Sequence, residues 1–283
     1  MTLAERQNAT PPLTEVMRAN IEVHSRLVED YDKEPHFRPE NRAKVRAVLE
    51  QLQIDTQGKR LLDLGCGTGF IINLAHDLFD DIHGVDLTPA MLAKIDTSPG
   101  NITLHNIPAE ALPFPDASFD VVTAYAFLHH LEDYATVLAE AFRVLRPGGK
   151  LYVDLDPNRG FWHAIADAER QGDTRSAIVA REIGAALHVD EAVAAQFGIA
   201  ERVINLAEYT KSILGGIDAE EFAGHCRHIG FATCETRYQW FLGQGSVMHG
   251  RSFELADEIE SYLNDTLPLS AHLFKYLRFI VTK

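Results

Sequence analysis

Glycines at alternate positions constrain the fold of this chain more than any other feature of its sequence. Residues 61–70 read Leu-Leu-Asp-Leu-Gly-Cys-Gly-Thr-Gly-Phe, so a short apolar run ends in Gly65, Gly67 and Gly69. Apolar residues then recur at helical spacing as far as Leu78, which predicts a buried strand, a tight turn and a helix. Because glycine lets a ligand lie against the main chain at a helix N-terminus, the turn predicts a nucleotide-binding corner.

The spacing of these glycines separates two classes of nucleotide site. A dinucleotide-binding fingerprint, Gly-x-Gly-x-x-Gly, requires its third glycine where this chain has Phe70. Asp63 precedes the turn, and Asp86 ends the next predicted strand, about twenty residues beyond the turn. An acid at that distance accepts hydrogen bonds from ribose hydroxyl groups in doubly wound folds. We therefore predict that Asp86 binds ribose; the alternative is that it only faces the dipole of the following helix.

Three segments resemble class I S-adenosylmethionine-dependent methyltransferases. The first is the Asp-Leu-Gly-Cys-Gly-Thr-Gly string of the turn, and the others are residues 108–120, which include Leu-Pro-Phe-Pro-Asp-Ala-Ser-Phe-Asp, and residues 145–153, Leu-Arg-Pro-Gly-Gly-Lys-Leu-Tyr-Val. The resemblance is strong over residues 40–156, and the group it most resembles is that of ubiquinone/menaquinone-biosynthesis-like methyltransferases. It implies an α/β fold with a doubly wound, mostly parallel seven-stranded sheet of the Rossmann-like methyltransferase type, whose last strand is antiparallel.

The resemblance also implies the cofactor, S-adenosylmethionine, and the residues that bind it. The glycines would pass against its methionine part, Asp63 would sit by its ammonium group and Asp86 would bind its ribose. Where the family has an acid near adenine, this chain has Pro108, which offers neither a carboxylate nor an amide proton. A contact to adenine would then come from Ala109, Glu110 or Asn106. The expected cofactor-binding set is Asp63, Gly65, Cys66, Gly67, Gly69, Asp86, Leu87, Ala109, Glu110 and Tyr125.

The implied reaction is methyl transfer by in-line displacement, for which the enzyme supplies mainly proximity, alignment and exclusion of water. A base is needed only when the acceptor atom carries a proton of high pKa. The carboxyl end of the fourth predicted strand lies at the ligand crevice; the strand ends in Tyr125, and the segment after it holds His129 and His130. With His36, which lies between two prolines near the N-terminus, these are the candidate bases. The alternative for the histidines is a packing or capping role.

The resemblance divides the chain into four parts. We predict an N-terminal helical lid over residues 1–40, a cofactor-binding core over 41–157, a helical lid insertion over 158–216, and a C-terminal part of the core over 217–283. Residues 32–40 either lay side chains over the ligand or merely join two helices. Residues 243–275 separate the last two predicted strands. This second insertion would close the substrate pocket or make a homodimer contact.

The charge of the chain bears on its partners. Lysine and arginine number 26 against 41 acidic residues, a formal charge of −15, which repels nucleic-acid backbones. We therefore expect a small-molecule acceptor and no nucleic acid. Three cysteines give no disulfide framework. The first twelve residues lack an apolar signal core, and no run has the length of a membrane span. These features predict a cytoplasmic protein with no membrane partner.

The sequence raises three other possibilities: a metal site, an oxidoreductase and a non-catalytic binding protein. His225, Cys226, His228 and Cys234 are metal-type side chains, but three of them fall within one helical turn, unlike the paired ligands of zinc motifs; we predict no metal. A nucleotide-dependent oxidoreductase would share the glycine turn, although the missing third glycine opposes it. A non-catalytic protein that binds S-adenosylmethionine or S-adenosylhomocysteine stays open, because binding motifs survive the loss of chemistry.

Overall fold

A single seven-stranded sheet forms the centre of the molecule in a computed structural model, which describes residues 13–33, 37–171 and 176–283. The strand order is β3-β2-β1-β4-β5-β7-β6. The first five strands pair in parallel, and β7 is antiparallel to both of its neighbours. The strands are β1 Arg60–Leu64, β2 Asp81–Val85, β3 Ile102–His105, β4 Phe119–Tyr125, β5 Leu145–Pro157, β6 Thr233–Phe241 and β7 Phe274–Thr282.

Helices lie on both faces of the sheet and beyond its edge. In the part of the chain that the structure describes, they are α1 Glu15–Leu27, α2 Pro39–Thr56, α3 Phe70–Ala75, α4 Pro89–Leu92, α5 Tyr134–Val144, α6 Arg159–Arg170, α7 Ala177–Leu187, α8 Val189–Phe197, α9 Glu201–Ala207, α10 Tyr209–Ser212, α11 Ala219–Ile229, α12 Gln244–Gly250 and α13 Phe253–Asp265. Short 3-10 turns occur at Tyr31–Lys33, Leu128–His130 and Ala271–Leu273. Among the described residues, no helix combines the length and the apolar character that crossing a membrane requires.

The position of β4 explains where a ligand can bind. All seven of its residues are buried, because its apolar run lies between helix layers on both faces of the sheet. The strand order reverses between β1 and β4, and ligands of doubly wound sheets bind at the carboxyl ends of the strands at such a point. The predicted fold is therefore confirmed, including the antiparallel last strand.

Two local features differ from what their residue types favour. The Arg-Pro-Gly-Gly sequence at residues 146–149 is typical of a turn, but β5 begins at Leu145, because Gly148 and Gly149 exchange backbone hydrogen bonds with Lys283. Thr88 does hold the N-cap position of α4, but its side chain makes no capping bond. The backbone N–H of Thr88 instead donates to Oδ1 of Asp86 at 2.7 Å. Asp86 therefore supplies the side-chain hydrogen bond at the start of α4.

The first helix packs against the helices of the insertion. Ala19 and Val23 of α1 form one apolar cluster with Ala194 of α8 and with Ile204 and Ala207 of α9. Two hydrogen bonds join this layer to the segment after β4. Asn20 Nδ2 donates to the carbonyl of His130 at 3.1 Å, and Thr210 Oγ1 donates to the carbonyl of Leu131 at 2.7 Å. The two predicted lids thus meet above the carboxyl end of β4.

The second insertion lies elsewhere. Asn264 of α13 bonds the backbone of Tyr238 on β6, and Asp257 pairs with Lys44 of α2. Residues 243–275, all of them described, contribute nothing to the walls of the three cavities discussed below. Both predicted roles of this insertion, closing the substrate pocket and making a homodimer contact, stay predictions.

Candidate functional site

The glycine turn after β1 forms one wall of the site. Gly65, Gly67 and Gly69 all have positive φ, at 64°, 52° and 89°, a region that favours glycine. The backbone N–H of Gly69 donates to the carbonyl of Cys66 at 2.8 Å and closes the turn before α3 begins. A methyl group on Gly65 would overlap the ring of Phe127. The sequence therefore needs glycine here for backbone conformation and for close packing.

Asp86 ties the end of β2 to this turn. Its Oδ2 accepts the N–H of Gly67 at 2.9 Å, while its Oδ1 holds the N–H of Thr88. Each carboxylate oxygen retains further acceptor capacity. Asp86 consequently fixes the turn and also presents a carboxylate at the cavity beside it.

A cavity of about 390 Å³ opens against the turn. This volume is within the usual range for small-molecule and cofactor sites. Its walls include six of the ten residues predicted to bind cofactor: Gly65, Gly67, Asp86, Leu87, Ala109 and Glu110. The sequence analysis missed other residues of the same wall, which come from α1 and from the segment after β4: Met17, Asn20, His24, Phe127, Glu132, Asp133 and Thr136.

The remaining predicted cofactor residues lie beneath or beside the turn. Asp63, Cys66 and Tyr125 border a separate cavity of only about 20 Å³, covered by Tyr31 and Phe37 of the N-terminal segment. Gly69 lines neither of these cavities and packs against Ile95. Gly65 and Gly67, which were predicted for the methionine part, border both cavities, so the two predicted sets of residues meet at the turn.

Two of these residues have altered acidity. Asp63 is buried and accepts a hydrogen bond from Thr123; burial raises its pKa to about 7. Tyr125 is also buried, and its hydroxyl group accepts a 2.8 Å hydrogen bond from Asn41. Burial, with the nearby charge of Asp154, raises the pKa of Tyr125 well above its ordinary value. Loss of its proton is disfavoured, which argues physically against the predicted role of Tyr125 as a base.

A third cavity, of about 210 Å³, lies under the insertion helices. It shares His24, Tyr31, Ala126 and His130 with the 390 Å³ cavity, so the two meet at these residues. Its other walls include apolar side chains of α1, α6, α8 and α9: Val23, Leu27, Trp162, Val189, Val193 and Ile204.

The paired histidines after β4 have different environments. Nδ1 of His130 lies 2.8 Å from the carbonyl of Ala207, so it carries the proton and Nε2 is the acceptor of the neutral ring. Burial and the neighbouring His129 hold the pKa of His130 well below its ordinary value. Nδ1 of His129 lies 2.8 Å from Asp156. Although burial opposes it, the carboxylates of Glu208 and Asp156 raise the pKa of His129.

Glu208 and Lys211 complete this group, and no sequence motif pointed to them. Oε1 of Glu208 is 3.5 Å from Nδ1 of His130, and its Oε2 is 3.7 Å from Nε2 of His129. Lys211 Nζ lies 3.4 Å from the same carboxylate and 2.6 Å from Asp190. The fourth candidate base, His36, lies outside the described residues.

Side chains of the types that bind metals occur at two places. Cys226 and Cys234 are free thiols, and His225 packs edge-on to Tyr134. A different set, His129, His130 and Glu208, brings one ligand atom each within 4.8 Å of the others. The ammonium group of Lys211 beside Glu208 repels a cation there.

Comparison with known proteins now identifies the family. Residues 62–153 match the family model described as "Methyltransferase domain". A probable S-adenosylmethionine-dependent methyltransferase of Mycolicibacterium smegmatis is 36% identical over 112 residues, 40% of this chain and 43% of that relative. Residues 62–153 form a methyltransferase domain of the S-adenosylmethionine-dependent type.

Other relatives of this methyltransferase domain agree. The demethylmenaquinone methyltransferase of Thermus thermophilus is 36% identical over 108 residues, 36% of this chain and 49% of that protein. The chain therefore spans about half the length of the curated relatives it matches, or slightly less. A crystal structure of an S-adenosylmethionine-dependent methyltransferase from Archaeoglobus fulgidus shares the fold, with a TM-score of 0.51 at 14% identity, over 86% of this chain and 94% of that one.

The cofactor of the family, S-adenosylmethionine, fits the site. Gly65 and Gly67 leave the cavity wall free of side chains, and Asp86 offers acceptor oxygens for ribose. The wall also carries the carboxylates of Glu110, Glu132 and Asp133, which suit a cationic ligand. Ala109 and Leu87 supply apolar surface in the same cavity.

Proposed function

We propose that this methyltransferase transfers the methyl group of S-adenosylmethionine to an O, N or C nucleophile of a small-molecule acceptor. The observation that carries the proposal is the meeting of two cavities at His130 and Ala126. One cavity has the glycine turn and Asp86 in its wall. The other provides space for a second molecule beside it.

We assign the residues of the larger cavity to cofactor binding. Gly65 and Gly67 let the ligand lie against the main chain, and Asp86 accepts hydrogen bonds from the ribose. Ala109 and Glu110 border the adenine, in place of the acid that the family has at Pro108. We assign Asp63, which is buried beside the turn, to the ammonium group of the cofactor.

The sulfonium cofactor supplies an activated methyl group when it is bound. The chain then contributes alignment and exclusion of water. The N-terminal segment and the insertion helices supply both, because His24 and Tyr31 border both cavities and Trp162 of α6 borders the 210 Å³ cavity. His130 is the best placed of the predicted bases, since it borders both cavities and Nε2 of its neutral ring is an acceptor.

The 210 Å³ cavity also bears on the non-catalytic alternative. A protein that only sensed the cofactor would need no room for an acceptor beside the reacting methyl group. This chain has such room, bordered by titratable side chains. The cavity therefore favours an enzyme over a sensor.

Calorimetric titration with S-adenosylmethionine, S-adenosylhomocysteine and NAD tests the proposal. We expect the first two to bind and NAD to give no heat of binding. Methyl transfer is then followed with a radiolabelled methyl group across a panel of small acceptors and a tRNA control. Binding of NAD alone would overturn the proposal, and cofactor binding without turnover on any acceptor would favour the sensor.

A further inference from the structure

The 210 Å³ cavity restricts the size and polarity of an acceptor. An apolar protein cavity of about 150 Å³ binds benzene, so this one suits a single substituted ring. Apolar side chains such as Trp162, Val193 and Ile204 form much of its wall. The carboxylates in the wall are Glu208 and Asp190, and both are paired with Lys211. Neither is left to bind an ammonium group, which disfavours a charged amine as acceptor.

The junction of the two cavities carries the polar side chains of His24, Tyr31 and His130. The ring of His130 has an orientation that is fixed by a backbone carbonyl group. Its Nδ1 is fixed by the carbonyl of Ala207, so the neutral ring offers Nε2 as a hydrogen-bond acceptor. An acceptor molecule that donates a hydrogen bond there would lie at the boundary with the cofactor cavity, because His130 borders both. A hydroxyl group meets this requirement and carries a proton that must leave during transfer.

Glu208 lies on the other side of the same ring. Its Oε1 is 3.5 Å from Nδ1 of His130. Although burial opposes ionisation, Lys211 and the two histidines hold the pKa of Glu208 below its ordinary value. The carboxylate is therefore charged when His130 takes up a proton. In a site of low dielectric constant, a negative charge at this distance stabilises the imidazolium form.

We propose that Glu208 is a positioning residue for His130, and that the acceptor carries a hydroxyl group on a small, mostly apolar ring. The proposal rests on the methyltransferase activity proposed above. Nε2 of His130 takes the hydroxyl proton while the acceptor oxygen forms its bond to the methyl carbon. The bond between that carbon and the sulfonium sulfur breaks, and its electron pair stays on sulfur. The products are a methyl ether, S-adenosylhomocysteine and protonated His130.

Several charged groups besides Glu208 face the His130 ring. His24 of α1 stacks edge-on at 4.8 Å between ring centroids, and His129 lies at 4.0 Å. Lys211 reaches the far side of Glu208, and Asp156 is paired with His129. A Glu208→Gln variant removes one charge from this set and keeps the side-chain volume. Lys211 also keeps its 2.6 Å contact with Asp190 in that variant.

The first measurement follows the ring nitrogens of His130 by NMR as a function of pH, in protein saturated with S-adenosylhomocysteine. We expect Glu208→Gln to lower the pKa of His130 by about one unit or more, as loss of a close opposite charge does. Glu201→Gln changes an exposed acid in α9, the helix that ends just before Glu208; it is the matched control and should leave the pKa of His130 unchanged. Glu208→Asp keeps the charge and should restore most of the shift. An unchanged pKa of His130 in Glu208→Gln would overturn the positioning role of Glu208.

The second measurement compares phenol with thiophenol as methyl acceptors. Thiophenol has the same ring but loses its proton readily without a base. In Glu208→Gln we expect slower turnover of phenol, with the acidic limb of its pH profile moved to lower pH, and little change for thiophenol. Equal losses for both acceptors would mean a merely structural role. Methylation of aniline but not of phenol would overturn the hydroxyl assignment.

These outcomes are distinguishable from failure of the proposed function. If wild-type protein binds neither S-adenosylmethionine nor S-adenosylhomocysteine by calorimetry, the methyltransferase proposal fails and this one fails with it. If cofactor binds and the His130 pKa does not respond to Glu208, only the present inference is overturned.

Discussion

The hydroxyl group of Thr123 donates a 2.7 Å hydrogen bond to Oδ1 of Asp63, directly beneath the glycine turn. Asp63 is only 2% exposed, and burial raises its pKa from 3.8 to about 7, even though the Thr123 bond favours the ionised form. The unfolded chain loses the same proton at much lower pH. Asp63 thus links stability to pH.

The direction of this linkage follows from the two pKa values. Between about pH 4 and pH 7 the folded protein holds the Asp63 proton more tightly than the unfolded chain, so its contribution to stability falls as pH rises. Above the pKa of Asp63 in the folded protein, the loss of stability caused by its buried charge no longer changes with pH. We expect Asp63→Asn to gain stability relative to wild type across this window, by at most about 4 kcal/mol at three pKa units.

Urea denaturation of both proteins at a series of pH values measures this difference. The free energy of unfolding of the variant minus that of wild type should rise from about pH 4 to pH 7 and then level off. Thr123→Val serves as a second comparison, because it removes the hydrogen-bond donor and leaves the carboxyl group in place. A difference that is independent of pH would show that Asp63 is ionised in the folded protein.

Gly65 combines a positive φ of 64° with contact to Phe127. Gly65→Ala should destabilise the fold through strain in the backbone and overlap with the ring. Gly100 also has a positive φ, of 85°, but a Cβ atom added there would have no neighbouring atoms. Gly100→Ala therefore measures only the cost of placing alanine at a positive φ. We expect Gly65→Ala to cost about 1–3 kcal/mol more, as overpacking of a core does.

Chemical denaturation of the two alanine variants compares these costs directly. Phe127→Leu in the Gly65→Ala background should recover part of the loss, because a smaller side chain opens space at the turn. Equal destabilisation of the two single variants would mean that Phe127 moves aside freely, and the close approach would then not explain the glycine.

The core of the site could be predicted because its residues are close together in sequence. The strand, turn and helix around Gly65 and the acid at Asp86 are adjacent elements of one β-α-β unit, and their spacing is fixed by the turn. Glu208 had no such signal. It meets His130 only because α9 packs on α1 through Val23 and Ile204, a contact between segments far apart in the chain.

Charge and burial also limited the sequence analysis. The position of Tyr125 at the end of β4 predicted a residue near the reacting group, and the structure does place it beside the turn. The sequence did not show that Asn41 of α2 would reach across to its hydroxyl group. Acidity depends on such partners and on burial, both of which are set by packing over long sequence distances.

Tyr125→Phe tests whether that hydroxyl group serves catalysis or structure. Its burial and the Asn41 contact predict a structural role. We expect the variant to retain turnover and to lose about 0.5–1.5 kcal/mol of stability, the usual net value of one hydrogen bond. Thermal denaturation gives the stability and the methyl-transfer assay gives the turnover. Loss of turnover with unchanged stability would return Tyr125 to the candidate bases.

Asp86 offers the most direct test of cofactor binding. Its two oxygens hold the N–H groups of Gly67 and Thr88 and also face the 390 Å³ cavity. We expect Asp86→Ala to weaken S-adenosylmethionine binding by about ten- to hundredfold, because hydrogen bonds to a charged group contribute about 1.5–3 kcal/mol. Asp80→Ala, an exposed acid at the opposite end of the same strand, should leave the affinity unchanged.

Titration with two ligands separates ribose recognition from support of the turn. If Asp86 binds the ribose, its replacement should weaken both S-adenosylhomocysteine and adenosine, which share that sugar. If Asp86 only orders the Gly67 backbone, the affinity for adenosine should fall less than the affinity for S-adenosylhomocysteine. The reason is that adenosine lacks the methionine part that would lie against the glycines. Unchanged affinity for both ligands in Asp86→Ala would sink the ribose assignment, and the strand-end carboxylate would then serve only the turn and the N–H of Thr88.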